Sequence, residues 1–283
     1  MKHKINPTVD CVFKAILGSE ENKNLLIHFL NAVLEPDSKI KEIVLNNPYN
    51  EREFVADKLT IVDVKATDGD GCHYQIEIQL VLHPAISARI LYTWSSIYHS
   101  QISKGDDFDK LKPVISIWIL NENLFDKVDD VHLPFVLCNQ KNQLILSDDI
   151  KIHLLQLPKW QSDEVKNEKE RWIYLFKEGK NVDVDEPPEV LCTDEMRQAM
   201  ETLDRFSENA DNYLLYQNRL EATLLENTYL HGMEKLKREK EQAIQREEQE
   251  RREKEQLQAK LDSLLLQLKE KGMDDVVAKI SLG

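Results

Sequence analysis

Asp63, Glu77 and Gln79 are the residues of this chain whose types and spacing can do chemistry. They fall in the stretch 54–82, FVADKLTIVDVKATDGDGCHYQIEIQLVL, where two runs rich in Val, Ile and Leu flank Asp68-Gly69-Asp70-Gly71, a turn signal. The pattern predicts a β-hairpin. Asp63 and Glu77 are equidistant from position 70, so a hairpin with an odd-length loop centred there sets them directly opposite. Opposed side chains share a face with Cβ atoms about 4.5–5.5 Å apart, where like charges repel. Strand alternation puts Glu77 and Gln79 on one face and Tyr74, Ile76, Ile78 and Leu80 on the other. A hard divalent cation such as Mg²⁺, which takes oxygen ligands, would relieve the repulsion and activate a water. The residues alone leave two further readings open: the acids sit on a solvated sheet face, or Lys58 and Lys65 neutralise them. Of these lysines, Lys65 shares the Asp63 face by alternation and Lys58 does not.

The elements around the hairpin must hold it in place, and their patterns predict an α/β fold. Val9, Val12, Phe13, Ile16 and Leu17 form the apolar face of a helix closed by Gly18, on which Asp10 and Lys14 are neighbours four residues apart. That spacing suits a surface ion pair. A second helix spans about 20–34, stopped by Pro36, and 40–45 reads as a strand before the turn Asn46-Asn47-Pro48. Pro84 opens a helix to about position 104 that carries Arg89, Tyr92 and Gln101. Six apolar or small residues, 114–119, then read as a strand buried on both faces, and strand, helix, strand implies a crossover in a mixed sheet. Arg89 on the crossover helix could clamp a phosphate or make a structural ion pair. Shorter strands follow at 135–138, 144–146 and 152–157, then a helix over 160–178, an exposed linker at 181–188 with two prolines, and helices from Thr193 and Ser207.

From about 225 to 271 the chain reads as one charged helix with Glu-to-Lys/Arg pairs at i, i+4, ended by Gly272 and followed by a short helix over 274–280. Leu257, Leu261, Leu264 and Leu268 step by 4, 3 and 4, a short a/d seam. It suits either a homo-oligomeric coiled coil or a solitary exposed helix.

The series Asp63…Glu77-Ile78-Gln79, preceded by Asp57-Lys58, resembles the Rpn family of recombination-promoting nucleases, also described as transposases of the PD-(D/E)XK superfamily. Upstream, Asp10-x-x-Phe13-Lys14 and residues 29–34 are similar to the family's opening helices. Downstream, Arg89-x-x-Tyr92, Tyr98, Gln101, Gly105, the strand 113–117, Trp172 and residues 271–275 continue the likeness over nearly the whole chain. The resemblance implies a restriction-endonuclease-like mixed sheet flanked by helices, with a helical or coiled-coil extension. It divides the chain into a nuclease-like core (1–160), a helical region with an acidic linker (161–224), the charged helix (225–271) and a short tail (272–283). It further implies an endonuclease that hydrolyses DNA with Mg²⁺, or Mn²⁺, in recombination or mobile elements. Asp63 and Glu77 would be metal ligands. Gln79 stands where most of the superfamily has a lysine, a change common in this family, and Lys65 would supply the missing charge. Asp10, Lys14, Asp57, Lys58, Arg89, Tyr92 and Gln101 are the accessory candidates. The alternative is a catalytically degenerate fold kept for DNA binding or as an oligomeric scaffold.

Composition bounds these readings. The chain has 283 residues, 37 Lys and Arg against 51 Asp and Glu, and a net charge of −14. Residues 233–271 hold eleven basic and ten acidic residues, so the excess charge lies in the body before them. An acidic body repels phosphates, and DNA must therefore be met by a local basic strip or through the metal. No apolar run approaches the ~18 residues of a membrane span, and the opening MKHKINPTVD lacks the apolar core of a signal peptide. A cytoplasmic location with no membrane partner is the expectation. Cys11, Cys72, Cys138 and Cys192 lie far apart with no zinc-type spacing, which predicts reduced, mostly buried thiols.

Overall fold

The computed structural model describes the backbone at residues 3–46, 63–162, 164–183 and 185–270. It divides into two compact units, residues 1–225 and 226–283. Among the described residues of the first, eight strands and five helices precede the start of a long sixth helix: α1 (Asp10–Leu17), α2 (Lys23–Leu34), β1 (Ile43–Leu45), β2 (Asp63–Asp68), β3 (His73–Gln79), α3 (Ile86–His99), β4 (Val114–Leu120), β5 (His132–Val136), β6 (Cys138–Asn139), β7 (Leu144–Ile145), β8 (Ile150–Gln156), α4 (Glu168–Glu178), α5 (Asp194–Glu208) and α6 (Ala210–Glu270). Six strands make one mixed sheet in the order β1-β2-β3-β4-β8-β5. β1, β2 and β3 pair antiparallel, β3-β4-β8 are parallel, and β5 returns antiparallel along β8.

The sheet has two differently dressed faces. Val64, Ile76, Ile117 and Leu155 share one, packed in a large core with Phe13 of α1, Phe29 of α2, Trp172 and Phe176 of α4, and Leu203 and Phe206 of α5. On the other, Trp118, Leu120 and Leu154 pack against Ile86 and Ile90 of α3. Because β4 is central and covered on both faces, its sequence VISIWIL is almost unbroken in apolarity. α3 is the crossover from β3 to its parallel neighbour β4, and it therefore lies over the polar positions of β3.

Local chemistry sets the boundaries, and several differ from the sequence expectation. Gly18 ends α1 as predicted: its N–H bonds the Lys14 carbonyl, which a Cβ there would meet at 2.8 Å. The helix foreseen over 160–178 begins at Glu168, because the Asn167 side chain accepts from the Glu170 N–H and caps it, while Trp160 closes a separate turn and is buried. Helix α5 starts where Thr193 caps the Met196 N–H. The last helix is continuous from Ala210 rather than from about 225. The segments expected at 135–138 and 144–146 split: β5 joins the main sheet, whereas β6 and β7 form a separate two-stranded ribbon. The four cysteines form no disulfide, but Cys138 is exposed and Cys11 alone is fully buried. Among the described residues no helix is long and apolar enough to cross a membrane.

In the second unit, α6 continues to Glu270 with Leu257, Leu261 and Leu264 exposed. Leu268, Gly272 and the helix expected over 274–280 lie outside the residues whose side chains or backbone are described.

Candidate functional site

The hairpin register brings the two acidic positions together. Asp63 of β2 pairs with Glu77 of β3, Lys65 with Gln75, and Thr67 with His73, so the ladder is centred on position 70. The turn is fixed by Asp68, whose carboxylate accepts from the N–H groups of Asp70 and Cys72 and from the Tyr74 hydroxyl. Tyr74 is thereby raised well above its ordinary pKa, by burial first and by this hydrogen bond second, and burial also pushes the Cys72 thiol up to about 11.

Glu77 is 1% exposed, an unusual place for a carboxylate. It is held there by donors. Gln79 Nε2 reaches Oε2 at 3.0 Å, Gln75 Nε2 reaches Oε1 at 3.4 Å, and Arg89 Nη2 of α3 reaches Oε2 at 3.1 Å. The other arm of the guanidinium donates to Gln79 Oε1 at 3.2 Å, and the group lies 5.6 Å from the centre of the Trp118 ring. Behind it the network continues inward: Trp118 Nε1 donates to Ser116 Oγ at 2.8 Å, and that hydroxyl to Gln75 Oε1 at 3.3 Å. A buried charge is tolerable when paired and hydrogen-bonded. The site is therefore built to hold one anionic oxygen pair against a cation.

The remaining candidates scatter. Of the two roles open to Arg89, the structure gives the ion pair with Glu77. Tyr92, one turn on, is 75% exposed. Gln101 tethers a loop, accepting from the Lys112 N–H at 2.7 Å and donating to its carbonyl at 3.0 Å. Asp10 is not brought to Glu77. It lies on α1, against the opposite face, where it accepts from the Cys11 N–H at 2.6 Å and meets Arg219 at 3.5 Å. Its pKa is raised, burial outweighing Arg219, the Cys11 N–H and Lys14. Lys14 shares that helix, and its carbonyl receives the Gly18 cap. Asp57 and Lys58 lie outside the described residues.

Gln75, Ser116 and Trp118 were not among the residues singled out in the sequence. Gln75 could have been, since Gln75, Glu77 and Gln79 are a period-two polar run. Ser116 and Trp118 reach the site through the parallel register of β4, which local spacing does not reveal.

Glu77 offers a hard cation its two carboxylate oxygens, to which the Gln75 and Gln79 amide nitrogens and the Arg89 guanidinium donate, the guanidinium balancing the charge. Among the described residues no group of three His, Cys, Asp or Glu is placed to hold a metal. A second titratable pair lies on the opposite face. His132 of β5 and His153 of β8 stack with a ring nitrogen contact of 2.9 Å, and burial pushes both down to about 4, helped by Lys169 at His132 and by His132 at His153.

No curated protein and no solved structure matches the chain. The family described as PD-(D/E)XK nuclease family transposase matches residues 7–233, a span that takes in the whole sheet, the helices on both its faces and the Glu77 cluster. The chain belongs to that family and has the mixed α/β, restriction-endonuclease-like fold that the sequence resemblance implied.

Proposed function

We propose that this protein is a divalent-metal-dependent DNA endonuclease that hydrolyses phosphodiester bonds, in the cytoplasm, in recombination or the movement of genetic elements. The observation that carries the reading is Glu77: a carboxylate sunk to 1% exposure, paired in register with a second acid, Asp63, and provided with a cationic counter-group. Glu77 and Asp63 would hold Mg²⁺, or Mn²⁺. The ion would supply Lewis acidity toward a phosphate oxygen and a lowered pKa for a water. The chain's own residues do the rest. Gln79 cannot take a proton at neutral pH, so its amide positions rather than activates, holding the Glu77 carboxylate through Nε2. Lys65, two residues from Asp63 on β2, would add the positive charge that a lysine at the Gln79 position gives elsewhere in the superfamily. Arg89 holds Glu77 Oε2 through Nη2 and is the cation that α3 would offer to a phosphate.

Purified protein with supercoiled DNA and Mg²⁺ or Mn²⁺ is expected to nick it, and Asp63→Ala or Glu77→Ala to abolish nicking. Equal nicking by the variants would assign the cleavage to a contaminant.

A second reading, a degenerate nuclease fold that binds DNA or serves as an oligomeric scaffold, draws on the same ion pair: Arg89 already neutralises Glu77 without a metal. Metal addition separates the two. A thermal upshift with Mg²⁺ that Glu77→Gln loses supports the enzyme, and none in either protein supports the scaffold.

A further inference from the structure

On the same side of the sheet as Glu77, strand β2, the hairpin turn, the C-terminal half of α3 and the segment around Lys112 enclose a cleft of about 520 Å³. Lys65, Lys110 and Lys112 line it, with hydroxyl and amide groups from Thr67, Ser100 and Asn46 among the rest. Among the described residues no carboxylate lines it, in a chain where Asp and Glu outnumber Lys and Arg by 51 to 37. Asp106 pairs with Lys110 at 2.8 Å and offsets part of the charge. Lys65 too has an interaction of its own, and the described lining stays basic where the body as a whole is negative.

The lysines are held in place. Gln101 bonds both the N–H and the carbonyl of Lys112. Gly71, at φ +86°, lets the turn close on the Lys112 stem, whose Cγ a Cβ at that position would meet at 3.2 Å. Lys65 is fixed by its ladder position opposite Gln75, whose amide in turn reaches Glu77.

Helix α3 joins the cleft to the carboxylate. Arg89, Ser96 and Ser100 are spaced by seven and four residues and therefore share a helix face: the first holds Glu77, and the other two line the cleft. Seven residues at about 1.5 Å each give about 10 Å from Arg89 to Ser96, which sets the cleft close to the carboxylate. The exposed Tyr92 lies between them on the helix.

We propose that this cleft seats the phosphodiester backbone of the nucleic-acid strand next to the bond presented to Glu77, with Lys65, Lys110 and Lys112 as its counter-ions. The inference rests on the nuclease reading for the direction of the strand, but its test does not require cleavage. Fluorescence anisotropy with a labelled oligonucleotide, on the full chain in EDTA, reads binding alone. The Lys110→Gln/Lys112→Gln double variant is expected to bind roughly tenfold more weakly at low salt, with a plot of log affinity against log salt shallower by about 1 for each lysine removed. Ser100→Glu, an exposed position that puts a carboxylate into the cleft, should weaken binding in the same way should the double variant fold poorly. Glu77→Gln, which removes a negative charge and leaves Arg89 unpaired, should bind no more weakly than the wild type while losing any nicking, so that failure of catalysis and failure of the cleft are told apart. Unchanged affinity and salt slope in both cleft variants would overturn the proposal, as would no binding by the wild type. Full displacement of the oligonucleotide by millimolar inorganic phosphate would make the cleft a small-anion site and overturn it too.

Discussion

Glu77 and Arg89 depend on each other. Removing one partner of a buried ion pair costs about 3–5 kcal/mol because the other is left uncompensated, and the 40% exposure of the Arg89 side chain reduces this. Arg89→Gln is therefore expected to lower stability by about 1–3 kcal/mol in chemical denaturation, and to gain more thermal stability from Mg²⁺ than the wild type does, since the carboxylate then lacks its resident cation. An equal Mg²⁺ response in the two proteins would mean that Arg89 does not compete for that position. The His132–His153 pair makes a different prediction. Both imidazoles ionise at about 4 when folded and at about 6.5 when unfolded, so between those values the unfolded chain binds more protons. Their contribution to stability is complete above about pH 6.5 and is lost as the pH falls toward 4. Melting temperatures should hold between pH 7.5 and 6.5 and fall from there toward pH 5.7, short of the isoelectric point, and His153→Gln should flatten the fall; parallel curves would exclude the pair as its source. At this scale the sequence disclosed the Asp63–Glu77 register and the face that Gln79 shares with Glu77, because a strand period of two is a local property. Trp118 and Ser116 stayed hidden, since they meet Glu77 and Gln75 across a parallel ladder about forty residues away in the chain.

The hairpin was the most legible element, and its turn is where it is most easily damaged. Gly71 has a left-handed φ of +86°, which costs a residue with a Cβ about 1–2 kcal/mol before its contact with Lys112 is counted. Gly71→Ala should lower the unfolding free energy by at least that amount, read from the shift of the denaturation midpoint; no change would mean that the turn relaxes freely. The sheet's central strand was legible from its unbroken apolarity and α3 from its place between two strands. Helix starts were read less well. The start of α4 depends on a single cap, Asn167, within a polar stretch that a helix could otherwise occupy, and the start of α6 on Asn209, whose side chain accepts from the N–H groups of Asp211 and Asn212. Capping is a decision made by one side chain, and apolar periodicity does not report it.

For the molecule as a whole, the exposed Leu257, Leu261 and Leu264 of the second unit bear on the assembly expected from the leucine spacing. Light scattering should give an oligomer for the full chain and a monomer for a chain truncated after Tyr229; the same mass per particle multiple in both would end the coiled-coil reading. The strip of β5 and the β6–β7 ribbon has a separate consequence. Phe135, Val136, Leu137, Leu144, Ile145 and Leu146 are all in solvent at 42–78% exposure, beside the free edge of the main sheet. Such a strip favours sticking between molecules, and what opposes it is mutual repulsion from a charge of −14. That repulsion vanishes near pH 5.1 and is screened by salt. The protein should therefore turn cloudy on mild acidification while still folded, and a lysine placed at Leu146 should keep the solution clear.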